Sequence, residues 1–147
     1  TFLLEEIPKA ETFQTWKQML KVTGAHTREA QKIGLHGAVE RSIGGYLGAC
    51  EENAFGLEVL SQDESSVIFV VACGNTPKGP ADIGYGDGVG EVAVARLFIV
   101  KDTIVQVQYS WRGAKFGLAD RNAYPVPIAT LMQTASLLET AVRASPR

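Results

Sequence analysis

Alternation of apolar and polar positions is strongest in the second half of the chain. Phe55–Leu60 reads as a strand, Gln62-Asp63-Glu64-Ser65 as a polar turn, and Val67–Cys73 as a strand dense in β-branched residues. Val92–Val100 is a further strand, Lys101-Asp102 a tight turn, and Ile104–Trp111 the returning partner. Within that last segment Val105, Val107, Tyr109 and Trp111 alternate with Gln106, Gln108 and Ser110. Such alternation predicts one buried and one wetter face. Earlier in the chain, Trp16–Thr23 also has period two, with Trp16, Gln18, Leu20 and Val22 opposite Lys17, Met19, Lys21 and Thr23. Before it, Phe2–Ile7 is an apolar–acidic segment stopped by Pro8, which predicts extended backbone. Thr12–Trp16 allows one helical turn.

Helical periodicity marks two further segments. From Thr27 to about Cys50, Leu35, Val39, Ile43, Tyr46, Leu47 and Cys50 fall on one stripe, with Thr27 as N-cap and Glu29 in the first turn. Glycines at 34, 37, 44, 45 and 48 each cost about 1 kcal/mol relative to alanine in a helix. They imply close packing on a sheet or a break near Gly44-Gly45. Pro125-Val126-Pro127 opens the second helix, whose stripe is Ile128, Leu131, Met132, Ala135, Leu138 and Val142, and Ser145-Pro146-Arg147 ends it. The expected fold is therefore a single α+β domain over residues 1–147, a mostly antiparallel sheet of five to six strands with two amphipathic helices packed on it. Both helical stripes are expected on the same sheet face.

Composition supports a folded domain: hydrophobic residues make up 46% and charged residues 20% of the chain. The formal net charge of −2 gives no general attraction to nucleic acid, and no cluster of cations supplies a local one. Apolar runs such as Val67–Cys73 fall far short of the roughly 20 residues of a membrane-spanning helix. The first residue is Thr1, with no basic-then-apolar leader, so the chain reads as processed or truncated, with a lipid anchor before that step left open.

Candidate chemistry is sparse. Gly74–Gly90 is a 17-residue segment with glycines at 74, 79, 84, 86, 88 and 90, expected to be mobile or to contact a partner. Its carboxylates, Asp82, Asp87 and the nearby Glu91, lack the spacing of a calcium loop, and no Gly-Lys-Ser/Thr follows to cradle phosphate. The two histidines, His26 and His36, stand beside no serine elbow or closed zinc spacing and read as capping or surface residues. No cofactor is expected. Arg112 follows Trp111 at a strand end, where it either lies over its own tryptophan or meets a partner.

Cys50 and Cys73 are the only cysteines. Cys50 ends the inward helical stripe, and Cys73 shares a strand face with Val67, Phe69 and Val71. A bridge forms if the helix covers that face; otherwise the two remain core thiols. A disulfide would argue for an oxidising compartment.

The stretch Ile7-Pro8-Lys9-Ala10-Glu11-Thr12-Phe13-Gln14-Thr15-Trp16 resembles the Ile-Pro-x-Gly-Glu-x-x-x-x-Trp opening of small exported bacterial proteins of unknown function, with Ala10 in place of glycine. Cys50, Cys73, the Val92–Trp111 hairpin and the Arg112–Phe116 segment follow in the order of that family, and residues 74–90 look like an insertion. The resemblance implies a PsbP-like α/β/α sandwich and envelope or secretion-accessory roles without catalytic residues. The expected function is a non-enzymatic, exported binding or accessory module of the bacterial cell envelope, periplasmic or envelope-associated, with another envelope protein as partner. Expected partner contacts are Asp82, Tyr85, Asp87 and Arg112. Two alternatives stand beside it: a small hydrolase or isomerase with a pocket between sheet and helices, and an immunity or inhibitor protein acting through the Gly-rich loop.

Overall fold

The computed structural model describes residues 1–141, and within them the chain forms a six-stranded antiparallel sheet. The strands are β1 (Phe2–Glu6), β2 (Gln18–His26), β3 (Phe55–Gln62), β4 (Ser66–Cys73), β5 (Val89–Val100) and β6 (Thr103–Ala114), in spatial order β1-β2-β6-β5-β4-β3. Three helices accompany them: α1 (Ala30–Ser42), α2 (Gly44–Ala49) and α3 (Ile128–Ala141). The expected α+β class is thus observed. Lys101 adopts φ 51° in the tight β5–β6 turn. In the β3–β4 turn, Asp63 Oδ1 accepts the backbone N–H groups of Ser65 and Ser66 at 2.8 Å each. These backbone bonds hold its carboxyl below the usual range.

The helices do not share a sheet face, contrary to the sequence expectation. On one face Ile68, Val70, Val92, Val94 and Trp111 meet Leu131, Ala135 and Leu138 of α3. On the other, Val67, Phe69, Val71, Ala93, Ala95 and Leu97 meet Ala38 and Val39 of α1 and the adjoining Ile43. Every residue of β4 is buried, because the strand is covered on both sides. Met132, placed on the inward stripe by periodicity, is 45% exposed, and Val142 lies outside the described residues. No described helix is long and apolar enough to cross a membrane.

The single helix expected from Thr27 to Cys50 is broken twice. Gly34 sits at φ 69° inside α1, and Ile43 separates α1 from α2. Thr27 does not cap the helix: Glu29 holds the N-cap position, and the Thr27 hydroxyl accepts the Glu29 backbone N–H at 3.3 Å. Leu47 is consequently rotated outward and exposed, while Cys50 stays buried. Cys50 and Cys73 form a disulfide with a Cα–Cα distance of 5.7 Å, which ties the end of α2 to the end of β4.

Leu131 is buried against the sheet, so Leu131→Ala is expected to lower the unfolding free energy by about 2–5 kcal/mol in a denaturant titration. A loss under about 0.5 kcal/mol would place α3 elsewhere. The disulfide closes a loop with a sequence separation of 23. Replacing both cysteines with alanine should cost about 3 kcal/mol, and the denatured, unreduced protein should titrate no free thiol.

Candidate functional site

Above the second half of the α1 face the sheet turns polar. The β5 line that begins with Glu91 and runs through Ala93, Ala95 and Leu97 lies opposite Arg112, Ser110, Gln108 and Gln106 of β6. Beyond β6, Met19, Lys21 and Thr23 of β2 continue the same face, and Glu5 of β1 stands opposite Lys21. Because α1 covers only the apolar half, a cavity of about 480 Å³ remains over the polar half. Its walls are Tyr46 of α2, Ile83 and Tyr85 of the Gly-rich segment, and Phe13 and Trp16 of the segment before β2.

Glu91 is the buried acid at the inner end of this cavity, only 2% exposed. Tyr46 donates its hydroxyl to one carboxyl oxygen, and Tyr85 donates to the other. The network extends outward along the floor. Gln108 Nε2 donates to Tyr46 Oη at 3.0 Å and to Ser110 Oγ at 2.8 Å, while Gln106 Nε2 donates to Gln108 Oε1 at 2.7 Å. Burial pushes the Glu91 carboxyl up from the usual range, opposed by the two phenol donors and by the charges of Arg112 and Lys21. Burial, reinforced by the nearby Glu91, also raises both tyrosines, Tyr46 well above its ordinary value. The phenols therefore remain donors at neutral pH.

Arg112 supports the cavity from behind. Its guanidinium lies 4.1 Å from the Trp16 ring centroid and 4.8 Å from that of Tyr85. Its N–H groups donate to the carbonyls of Trp16 and Gln14, each at 3.1 Å, and to that of Ile83. The tryptophan beneath it is thus Trp16, not the neighbouring Trp111, which faces α3 on the opposite side. Gly84 lies at φ 90° beside this clamp, and a Cβ there would stand 2.1 Å from the Gln14 carbonyl oxygen.

Residues 74–90 are not a structureless loop: a 3-10 turn spans Ala81–Ile83, and β5 already begins at Val89. Asn75 pins the far side. Its Nδ2 donates to Glu51 and Asp87 carboxylates at 3.1 and 2.9 Å, and its Oδ1 accepts the Gly88 N–H at 2.8 Å. The sequence-selected residues consequently divide. Asp82 and Asp87 are on the surface, whereas Tyr85 turns its hydroxyl inward and Arg112 is buried in the clamp. His36 is exposed and pairs with Glu40 at 2.9 Å.

Sequence reasoning passed over Tyr46 and the structural place of Glu91. The available signal was the phase of β5: Glu91 is two residues from Ala93 and therefore points with the core positions. Gln106, Gln108 and Ser110 were legible as a wetter face, but not as the floor of a cavity.

No family model matches the chain, and no curated protein matches it in sequence. Among solved structures, the Saccharomyces cerevisiae Ran-binding protein Mog1p is similar with a TM-score of 0.55 at 14% identity, over 93% of this chain and 74% of that one. A point mutant of the protein Mog1 gives a TM-score of 0.54 at 14% identity, with the same coverage. The likeness is one of fold.

Glu91 keeps its proton more readily in the folded than in the unfolded chain. Its contribution to stability is therefore full below the ordinary carboxylate range and is lost as pH rises through the raised folded value. Glu91→Gln removes this dependence. Urea titrations from acid to neutral pH should show wild type losing stability relative to Glu91→Gln as pH rises; the opposite slope would refute the assignment.

Proposed function

We propose that the chain is a non-enzymatic binding module, exported and working in the bacterial cell envelope on a protein partner. The observation that carries this reading is the Gly-rich segment. It is anchored from inside by Arg112, Asn75 and the Tyr85–Glu91 bond, and it presents Asp82, Ile83 and Asp87 outward. An exposed epitope held in one conformation loses little freedom on binding, which favours recognition. Ile83, 41% exposed between the two carboxylates, adds apolar area at its centre.

The fold likeness supports a protein partner, since Mog1p is described as Ran-binding. The Cys50–Cys73 disulfide supports export, because such bonds persist in a periplasm and rarely in a cytosol. A hydrolase or isomerase finds one supporting observation, the buried Glu91 between two phenols. Both its oxygens already accept those phenols, and no cysteine or histidine stands beside it as nucleophile or base. An immunity or inhibitor role would use the same Gly-rich epitope with a different partner.

A photocrosslinker at position 83 should trap a discrete partner from intact bacteria expressing the full gene, and the product should fractionate with the envelope. Asp82→Lys with Asp87→Asn should reduce the crosslink about tenfold, the loss of roughly 1.4 kcal/mol of binding, with the fold retained because the carboxamide oxygen introduced by Asp87→Asn can still accept the Asn75 amide. A crosslink that survives the double variant, or a wholly cytoplasmic product, would overturn the proposal.

A further inference from the structure

The cavity beside the Gly-rich epitope has chemistry of its own. At about 480 Å³ it lies within the roughly 300–1,000 Å³ typical of small-molecule sites. Its inner end is closed to ligands as a hydrogen-bonding centre, because Glu91, Tyr46, Gln108 and Ser110 satisfy one another. Its outer end is open. Among the described residues, the hydroxyls of Thr23 and Ser42 have no hydrogen-bond partner, and neither does the carbonyl oxygen of the Gln106 carboxamide. All three residues line the cavity. Hydroxyls donate and accept equally well, so this set suits a ligand whose own groups do both.

Charge selects against ions. Lys21 and Glu5 face each other at 4.0 Å on the cavity wall, and the buried Glu91 has the guanidinium of Arg112 behind it. Each charged group on the wall therefore already faces a counter-charge, and among the described lining residues no unpaired charge is left to draw an ion. The lining also carries exposed apolar side chains: Phe13 is 51% exposed and Ile83 41%. Exposed apolar side chains and hydroxyl and amide groups lining one cavity match a ring with a C–H face and a rim of hydroxyls.

We propose that this cavity binds an uncharged, polyhydroxylated small molecule of the sugar class, held by Thr23, Ser42 and Gln106 against Phe13 and Ile83. The site shares Ile83 with the protein-binding epitope, but its hydrogen-bonding residues Thr23, Ser42 and Gln106 lie outside that epitope, so it goes beyond the protein-binding reading and is tested by different variants.

The test is a nuclear magnetic resonance titration of the folded, disulfide-bonded protein with glucose, maltose, the anionic analogue glucuronate and the cationic analogue glucosamine. Glucose or maltose should give saturable amide shifts confined to the cavity residues, with both charged analogues about tenfold weaker. The combined Thr23→Val and Ser42→Ala variant should weaken the neutral sugar at least as much. A second variant guards against misfolding. Gly45 lines the cavity, is exposed in α2, and a Cβ added to it meets nothing within 4 Å. Gly45→Leu should therefore keep or raise the melting temperature while abolishing the shifts. Absence of saturable shifts with either neutral sugar, tighter binding of a charged analogue, or undiminished binding by Gly45→Leu would each overturn the proposal. Loss of partner crosslinking in the Asp82→Lys, Asp87→Asn protein with sugar binding intact would leave this site standing.

Discussion

A guanidinium held between two aromatic rings organises the part of the molecule outside the regular sheet. Arg112 belongs to β6, but the carbonyls it binds belong to the segment before β2 and to the Gly-rich segment before β5. Neither of those segments has a ladder of its own at these positions, so their backbone acceptors need an outside donor. One arginine supplies three donors in a rigid planar fork, which a lysine could not replace. The same contacts place Trp16 and Tyr85 edge to face, with ring centroids 6.3 Å apart, and so close one end of the cavity. The charge that does this also faces Glu91, which makes a buried carboxyl tolerable there.

The disulfide does the corresponding work on the other wall. α2 is short and glycine-rich; Tyr46 buries its hydroxyl end, but no residue of the helix is buried as a whole. Little hydrophobic burial holds it down. The bond from Cys50 to Cys73 anchors its end to β4, and Tyr46, one turn earlier, reaches Glu91 from there. Helix, sheet and Gly-rich segment thus converge on one carboxyl, two of them through phenol hydroxyls. Such a network is stable only when every member is satisfied, because each unpaired polar group in a low-dielectric site is costly.

Much of the fold was legible from the residues. The two hairpins, the Lys101-Asp102 turn, the α+β class and the terminal helix follow from periodicity and turn chemistry, which are local. The Val67–Cys73 run also bears on helix placement. An unbroken apolar strand has no wet face, so it requires cover on both sides and places α1 and α3 on opposite faces. Stripe position was a weaker guide for α3, where Met132 lies at the edge of the buried arc and remains 45% exposed.

The cavity was not legible in the same way. Alternation in β6 determined that Gln106, Gln108 and Ser110 share a face, but not whether that face would meet water, a helix or a pocket. That depended on how far α1 extends across the sheet: the cover over β5 is made by Ala38, Val39 and the adjoining Ile43, where α1 ends. The partners of Glu91 are 45 and 6 residues away, and the carbonyls clamped by Arg112 are up to 98 residues away. Local sequence therefore determined the strands, the turns and which side chains share each face. Only the tertiary structure decided which of those polar side chains would meet, because contacts at such separations are set by sheet order and helix placement, which no local pattern encodes.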